Sequence, residues 1–253
     1  MNVPPIDYDS IAEIYDLYVT ADYDLPFFAA EAARAGGPVL ELTAGTGRLS
    51  IPLAQAGVPL TCVDASAAML AVLSRKLLER HLHADVVCAD ICRLSLPSSF
   101  RLAFVPFQTF MELVDETQQG QVLAAVYSCL VRGGRFICTV HNPSVRRVQV
   151  DGLLRLVGRF RAGDGTLVVS GVEHGGHPVV SRLQFFEFFA ADGRQKSRHL
   201  LPMQFTFIEK AQFETMAQEV GFRQVELYGN YDRSPFDERR SPFMIWVLEK
   251  GGH

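Results

Sequence analysis

The chain of 253 residues lacks the features of a membrane protein or a nucleic-acid-binding protein. No apolar run approaches the roughly 20 residues that span a bilayer. The acidic N-terminal segment has neither the basic stretch nor the apolar stretch of a secretory signal. The formal net charge of −4 offers no general attraction to phosphate backbones. These absences predict a cytoplasmic protein without nucleic-acid or membrane partners.

Cysteine is scarce, and its five residues are odd in number, so they cannot all pair in disulfides. Four of them lie within apolar strand-like or helical runs, where a thiol behaves as a small hydrophobic group. Cys88 and Cys92 are close in sequence, but no second cysteine pair or histidine pair lies at zinc-ligand spacing. The pattern predicts reduced core cysteines and no metal site.

Repeats and low-complexity segments are also missing. Hydrophobic residues make up 48% of the chain and charged residues 21%, which excludes the composition of a disordered protein. The length lies near the size at which a single core stops growing. We therefore expect one α/β domain with a sizeable insertion.

From residue 38 onward, short β-branched segments alternate with helical patterns, which is typical of strand-helix-strand units. The predicted strands cover residues 39–42, 60–64, 85–90, 101–106 and 135–141. Helices are predicted from about residues 47 and 66 and over 115–130, and a turn is predicted at Gly133-Gly134. Parallel strands require right-handed crossovers, so the pattern predicts a doubly wound sheet.

The alternation of strands and helices ends after Asn142-Pro143. Glycine-rich turns suit hairpins, and they are found at residues 163–165, 175–176 and 192–193. The strand-like segments among them cover 167–175, 179–190 and 199–207. These segments are therefore predicted to form an antiparallel layer. A helix over 209–220, ended by Gly221, then leads to strands over 222–229 and 242–250.

A glycine-bearing loop carries the strongest functional signal. The segment from Glu41 to Arg48, with Gly45 and Gly47, follows the first strand directly and precedes a helix, and Asp64 ends the next strand. Glycine has no Cβ, so the loop backbone can approach a cofactor at the carboxyl edge of the sheet, where such folds bind ligands. Asp64 can accept two hydrogen bonds from a ribose diol.

Two cofactor classes fit this arrangement, because dinucleotide enzymes also combine a glycine turn with a downstream acid. The dinucleotide turn needs a third small residue, which Ser50 matches only partly. Glu41 would repel a pyrophosphate, whereas S-adenosylmethionine carries an ammonium and a sulfonium. The residues therefore favour S-adenosylmethionine, and a nicotinamide-dependent oxidoreductase is the alternative.

At this point the chain resembles the class I S-adenosylmethionine-dependent methyltransferases, whose first motif commonly reads acid-x-Gly-x-Gly-x-Gly. Here the motif reads Glu41, Thr43, Gly45 and Gly47, so Thr43 replaces the first glycine. The resemblance implies a Rossmann-like seven-stranded sheet of order 3-2-1-4-5-7-6 with an antiparallel last strand, formed by residues 1–144 and 208–253. Residues 145–207 would form an antiparallel β cap for the substrate, inserted after strand 5.

The resemblance also implies roles for individual residues. Asp64 is expected at the ribose, and Asp90 with Ile91 at the adenine. The cofactor-binding set expected on this basis is Tyr15, Glu41, Ala44, Gly45, Gly47, Arg48, Asp64, Ala65, Met69, Asp90, Ile91 and Phe107.

The N-terminal segment Tyr8-Asp9-x-Ile-Ala-x-x-Tyr15-Asp16 resembles the helix that closes over the active site in glycine, sarcosine and amino-sugar N-methyltransferases. The resemblance predicts that residues 1–35 form lid helices and that Tyr8, Tyr15 and Tyr18 face the cofactor or acceptor. A ring face can stabilise a sulfonium cation, and a hydroxyl can hydrogen-bond an amine. The alternative is an amphipathic helix that simply buries its tyrosines.

Polar residues near the ends of the strands are further candidates. Gln108 could hold the cofactor or acceptor, or could instead cap the next helix. His141 could take a proton near neutral pH, or could be structural. Tyr231 lies between the last two strands. Its loop could reach the acceptor pocket, or could simply connect the two strands. The predicted catalytic residues are Tyr8 and His141, and the predicted acceptor contacts are Tyr8, Tyr18, Gln108, His141 and Tyr231.

Methyl transfer from a sulfonium is an in-line displacement, so alignment and exclusion of water matter more than strong acid-base groups. The sequence predicts transfer of this methyl group to a small molecule, with S-adenosylhomocysteine as the product. N-methylation of an amine or of a heteroaromatic natural product, such as a toxoflavin-type azapteridine, is preferred over O-methylation. Thr43 keeps open the hypothesis of an inactive cofactor-binding regulator, and both monomer and homodimer are compatible with the sequence.

Overall fold

The computed structural model describes residues 6–175 and 178–251. The chain forms two β-sheets. Their strands are β1 (Val39–Leu42), β2 (Leu60–Asp64), β3 (Asp85–Cys88), β4 (Phe100–Val105), β5 (Leu130–His141), β6 (Arg155–Ala162), β7 (Gly165–Gly175), β8 (Val179–Phe189), β9 (Gln195–Thr206), β10 (Phe222–Tyr228) and β11 (Phe243–Lys250).

The larger sheet has seven strands in the order β3-β2-β1-β4-β5-β11-β10. Strands β1 to β5 pair in parallel, whereas β11 is antiparallel to both β5 and β10. Since β10 and β11 are the sixth and seventh strands of this sheet along the chain, the predicted order 3-2-1-4-5-7-6 is confirmed. The parallel strands end together at one edge, which positions the loops after β1, β2, β4 and β5 side by side.

Helices cover both faces of this sheet. They are α1 (Ala12–Tyr18), α2 (Leu25–Ala35), α3 (Ser50–Gln55), α4 (Ala67–Glu79), α5 (Glu116–Cys129), α6 (Pro143–Arg146) and α7 (Lys210–Val220). Ser66 caps α4 by accepting a hydrogen bond from the Met69 N–H over 3.1 Å, and Asp115 caps α5 in the same way. Gly221, with φ of 106°, ends α7 in the left-handed conformation that favours glycine.

The core lies between the sheet and these helices. Every residue of β1 is buried, including Glu41, as expected for a central parallel strand covered on both faces. On one face, Trp246 of β11 stacks on Phe213 of α7 with ring centroids 4.0 Å apart. On the other face, Phe28 of α2 packs on Phe104 of β4 at 4.6 Å. These contacts fix the strands whose ends carry the candidate site.

The smaller sheet is antiparallel, with strands in the order β6-β7-β8-β9. It is inserted between β5 and α7, where the sequence predicted an antiparallel layer. The prediction included only three strands and missed β6. Most of β6 is exposed, and it carries three arginines, Arg155, Arg159 and Arg161, so its sequence shows no buried apolar face.

Two local expectations differ from the structure. The predicted turn at Gly133-Gly134 lies inside β5, where the pairing with β4 shifts register between Phe100 and Leu102. Three of the free cysteines are buried, but Cys92 is half-buried and Cys88 is exposed because it ends the edge strand β3. Of the predicted turn at 175–176, Gly176 lies outside the described residues.

Candidate active site

The loop between β1 and α3 contains three left-handed residues. Thr43 has φ of 58°, Gly45 of 56° and Gly47 of 89°. This region is disfavoured for a β-branched residue such as Thr43. Its hydroxyl donates a hydrogen bond to the Leu42 carbonyl over 2.6 Å. Thr43 therefore replaces the motif glycine in sequence while adopting a backbone conformation that glycine favours.

Asp64, at the end of β2, ties this loop to the next one. Its Oδ2 accepts a hydrogen bond from the Gly45 N–H over 2.8 Å, and its Oδ1 accepts one from the Ser66 N–H over 2.9 Å. Burial raises the pKa of Asp64, while these backbone hydrogen bonds act to lower it. The carboxylate is thus fixed beside Gly45 at the carboxyl edge of the sheet.

The two glycines of the loop serve different purposes. A Cβ on Gly47 would lie 2.4 Å from Leu73 Cδ1, so Gly47 permits close packing of α4. A Cβ on Gly45 would meet no atom within 4 Å, so Gly45 borders open space. Exposed loop backbone next to a fixed carboxylate fits the adenosyl group of S-adenosylmethionine, whose ribose diol can donate to Asp64.

Glu41 lies beneath the loop. Its side chain is buried, and its Oε2 accepts a hydrogen bond from the Ser50 hydroxyl over 2.6 Å. Burial raises the pKa of Glu41 to about 8, although the Ser50 hydrogen bond and nearby Arg48 act to lower it. The carboxyl is therefore mostly protonated at neutral pH, and its observed partner belongs to α3.

The N-terminal helices are anchored to the loops at the carboxyl edge. Asp16 of α1 accepts a hydrogen bond from the Thr46 hydroxyl over 2.6 Å and forms an ion pair with Lys76. Asp9 accepts a hydrogen bond from the Ser66 hydroxyl over 2.5 Å. These contacts place the predicted lid segment over the loops that follow β1 and β2.

Arg48 braces the loop against the segment between α1 and α2. Its guanidinium donates to both oxygens of the buried Asp24 over 2.5 and 2.7 Å and to the Ala21 carbonyl over 3.0 Å. It also lies over the ring of Phe107, 4.5 Å from the centroid. The charge of Arg48 is thus neutralised within the protein.

A cavity of about 520 Å³ opens beyond the ends of β4 and β5, between the lid segment and the antiparallel sheet. Its volume lies within the range of small-molecule sites. It brings together six of the residues predicted from the sequence: Tyr8, Tyr15, Tyr18, Phe107, Gln108 and His141.

Tyr8 and Glu112 form a hydrogen-bonded pair in this cavity. The Tyr8 hydroxyl donates to Glu112 Oε1 over 2.7 Å. Burial raises the pKa of Glu112 to about 7, while the hydrogen bond from Tyr8 acts to lower it. A carboxylate with this pKa can accept a proton near neutral pH.

The other two tyrosines form an aromatic wall. The ring of Tyr15 lies 6.3 Å from that of Tyr8 and 5.5 Å from that of Tyr18, in edge-to-face contacts. Tyr18 also contacts Phe186 of the antiparallel sheet at 5.2 Å. Burial raises the pKa of both Tyr15 and Tyr18, so their hydroxyls stay protonated.

Gln108 is held by residues behind the cavity. Phe107 and Gln108 are both left-handed, with φ of 57° and 61°, and such strain in non-glycine residues clusters at functional sites. The Gln108 amide donates to the Tyr231 hydroxyl over 3.2 Å. Tyr231 is buried among aromatic side chains of α2 and β11. It therefore positions Gln108 and does not line the cavity.

His141 lines the cavity, stacked on Phe243 with ring centroids 5.5 Å apart. Burial and the nearby charges of Arg146 and Arg182 lower its pKa to about 4. The imidazole is therefore neutral at neutral pH and a weak base. The structure makes Glu112 a better proton acceptor than the predicted His141.

The remaining predicted cofactor contacts lie around the loops. Asp90 caps a short 3₁₀ helix by accepting from the Cys92 N–H over 2.9 Å, and Ile91 is buried against the core. Met69 is buried near the base of the lid, where Ile11 belongs to the same apolar cluster. Ala44 is buried and Ala65 is exposed.

Sequence reasoning missed three charged residues of the cavity: Glu112, Arg146 and Arg182. A signal for Glu112 was available, since it is the one charged residue among the apolar residues that follow Gln108. Arg182 is on β8, and no local pattern brings it to the ends of β4 and β5. Its position follows from the folding of the antiparallel sheet over the cavity.

A second cavity of about 520 Å³ lies at the opposite edge of the large sheet. It contains Leu102 and Arg135, which pair near the start of β4. Doubly wound sheets bind ligands at the other edge, where the strands end. The cavity at the carboxyl edge is therefore the candidate active site. No helix among residues 6–175 and 178–251 is long and apolar enough to cross a membrane.

Comparison with known proteins points to methyltransferases. Residues 39–134 match the family model described as a methyltransferase domain. The chain is 26% identical over 248 residues to a glycine/sarcosine N-methyltransferase from Parasynechococcus marenigrum, covering 97% of this chain and 80% of that protein. It is 27% identical to a cypemycin N-terminal methyltransferase from a Streptomyces species, covering 85% and 84% of the two chains.

Solved structures of methyltransferases share the fold of this chain. The CcbJ methyltransferase from Streptomyces caelestis superposes with a TM-score of 0.79 at 24% identity and covers 97% of this chain and 98% of its own. A sugar N-methyltransferase from a Streptoalloteichus species superposes with a TM-score of 0.77 at 17% identity, covering 100% and 96%. These structures show the fold alone. The methyltransferase domain matched over residues 39–134, the curated relatives and the loop beside Asp64 together indicate an S-adenosylmethionine-dependent methyltransferase.

Proposed function

We propose that this protein transfers the methyl group of S-adenosylmethionine to the nitrogen of a small-molecule amine bound in the cavity. The observation that carries the proposal is the Tyr8–Glu112 pair inside a cavity at the carboxyl edge of the sheet. Relatives named as N-methyltransferases support it. We also propose residues 145–207 as the cap that binds the acceptor, and a cytoplasmic location.

The proposed cofactor contacts are on this chain's own loops. Gly45 leaves room for the adenosyl group, and Asp64 accepts from its ribose diol. Asp90 and Ile91 follow β3, next to β2 in the sheet, and are proposed at the adenine. When bound, S-adenosylmethionine supplies an electrophilic methyl group on a sulfonium. The face of Tyr15 can stabilise such a cation by about 1 kcal/mol.

Glu112 is the proposed proton acceptor. An amine must lose its proton before its lone pair can form the new N–C bond while the C–S bond breaks. A carboxylate with a pKa of about 7 can receive that proton at neutral pH. Tyr8 orients the carboxylate, and the aromatic wall excludes water. Removing the proton of an alcohol needs a stronger base, which favours an amine over a hydroxyl acceptor.

A titration of cofactor binding tests the first part of the proposal. The purified protein is titrated by calorimetry with S-adenosylmethionine, S-adenosylhomocysteine and NAD. We expect micromolar binding of the two adenosyl ligands alone, lost in Asp64→Ala. Binding of NAD alone would reject the methyltransferase assignment.

An acceptor screen tests the second part. Release of S-adenosylhomocysteine is measured with amines, with matched alcohols and with an azapteridine precursor of the toxoflavin type. We expect turnover with amines and a loss of about 100-fold in kcat for Glu112→Gln. Turnover with alcohols alone, or an unchanged kcat in Glu112→Gln, would overturn the N-methylation proposal.

A further inference from the structure

Two arginines of the cavity share one carboxylate. Arg146, at the end of α6, donates through Nη2 to Glu173 Oε1 and Oε2 over 2.7 and 2.5 Å. Arg182, on β8, lies 3.5 Å from Glu173 Oε1 through its Nη1. Both arginines line the cavity. Glu173 is on β7, so the three residues join α6 to the antiparallel sheet.

This cluster has an excess positive charge. Two guanidinium groups face one carboxylate, and the neighbouring His141 is neutral at neutral pH because its pKa is lowered to about 4. Glu112, which lines the cavity whereas Glu173 does not, is hydrogen-bonded by Tyr8, and the charge of Arg182 acts to lower its pKa. Within the described residues, Arg146 Nη1 and Arg182 Nε have no hydrogen-bond partner.

A purely structural ion pair does not account for the second arginine. The side chains of Arg146 and Arg182 are only 13% and 29% exposed, so water compensates their charges poorly. Arg146 alone satisfies Glu173, through two short hydrogen bonds. Arg182 therefore adds a positive charge to the wall of the cavity that Glu173 does not fully compensate.

We infer that the acceptor carries an anionic group, a carboxylate or a phosphate, besides its amine, and that Arg182 with Arg146 binds this group. The inference rests on the proposed function. It places the amine near Tyr8 and Glu112 and the anionic group against the cap. Arginine suits this role because its planar fork of N–H donors matches the oxygens of carboxylates and phosphates.

Calorimetry with matched ligands tests the inference without turnover. The full protein, with and without S-adenosylhomocysteine, is titrated with phenylalanine against phenylalaninamide and with phosphoethanolamine against ethanolamine. We expect the acidic member of at least one pair to bind at least about 10-fold more tightly than its neutral partner. A preference in the first pair identifies a carboxylate, and one in the second pair a phosphate.

Variants of Arg182 test whether this residue causes the preference for the acidic ligand. Arg182→Gln should abolish the preference for the acidic member while leaving the neutral member's affinity within about twofold, and Arg182→Lys should restore part of the preference. Arg198→Gln is the matched control, because Arg198 lies on β9 beside Glu187, half-exposed and not among the residues that line the cavity. It should behave as the unmodified protein.

Two results would overturn the inference. One is equal or undetectable binding of the acidic and neutral members of both pairs. The other is a preference that survives Arg182→Gln in a variant whose melting temperature is unchanged. If neutral amines are methylated while neither acidic member binds better, the proposed N-methylation stands and only this inference fails. If acidic members bind but no amine is methylated, the proposed function fails instead.

Discussion

The Tyr8 hydroxyl donates a hydrogen bond to Glu112 Oε1 over 2.7 Å, although the two residues are 104 positions apart in the chain. Tyr8 belongs to the N-terminal segment, and Glu112 follows β4. The N-terminal segment therefore completes the environment of Glu112. The pair couples the position of the lid to the protonation of the proposed base.

The Tyr8–Glu112 hydrogen bond stabilises the ionised carboxylate, so its loss raises the pKa of Glu112 above about 7. In Tyr8→Phe we expect the acidic limb of the pH profile of kcat/KM to move up by about one pH unit. Methyl transfer measured between pH 5 and 9 checks this. Tyr127→Phe, on α5 and outside the cavity, should leave the limb in place, and an unmoved limb in Tyr8→Phe would refute the coupling.

Gly45 and Gly47 should respond differently to alanine. In Gly45→Ala the residue is strained at φ of 56°, but its Cβ meets no protein atom, so we expect only a modest loss of stability. The same Cβ enters the space proposed for the adenosyl group, so the affinity for S-adenosylhomocysteine should fall at least about 10-fold. Gly47→Ala drives a Cβ to 2.4 Å from Leu73, so the free energy of unfolding should fall by about 3 kcal/mol. Urea denaturation and calorimetry separate the two effects; equal effects in both assays would contradict this division.

The left-handed backbone conformation of Thr43 destabilises the folded protein, whereas glycine would adopt it without strain. Because Thr43 has φ of 58°, Thr43→Gly should relieve backbone strain and raise the free energy of unfolding by about 1 kcal/mol, measured by urea denaturation. Thr61, on the extended strand β2, is the matched control: Thr61→Gly should lower it by a similar amount. A destabilised Thr43→Gly would show that the hydrogen bond from Thr43 to the Leu42 carbonyl outweighs the strain.

Ionisation of Glu41 should lower the free energy of unfolding as pH rises. Burial raises its pKa from 4.5 to about 8 on folding, so the folded chain holds a proton that the unfolded chain releases. The stabilisation is complete below about pH 4.5 and is lost as pH rises through about 8. Relative to the unmodified protein, Glu41→Gln should gain about 3 to 4 kcal/mol between pH 5 and pH 8 in urea denaturation.

Glu226→Gln, at an exposed position of β10, is the control for this measurement. Its stability should follow that of the unmodified protein across the same pH range. A Glu41→Gln curve that also ran parallel would mean that Glu41 is ionised in the folded protein. The raised pKa would then be wrong.

Much of the fold could be predicted because its signals are local. The alternation of short apolar strands with helices indicated the parallel sheet, and the resemblance to methyltransferases supplied its order. Strand β6 was missed because it is a mostly exposed edge strand, and exposure removes the alternation that identifies a strand. Asp64 could be predicted because it ends β2, the strand that lies next to β1 and its glycine loop in the sheet.

The sequence by itself determined the glycine loop, the acid that ends β2 and the aromatic N-terminal segment, because each depends on neighbouring residues and on local backbone geometry. Only the tertiary structure decided which charges meet in the cavity. Glu112 obtains its partner from the N-terminus, and Arg146 and Arg182 meet Glu173 across the cap. Such pairings join distant segments, and burial then sets the pKa values of the groups they enclose, so no spacing in the sequence could reveal them.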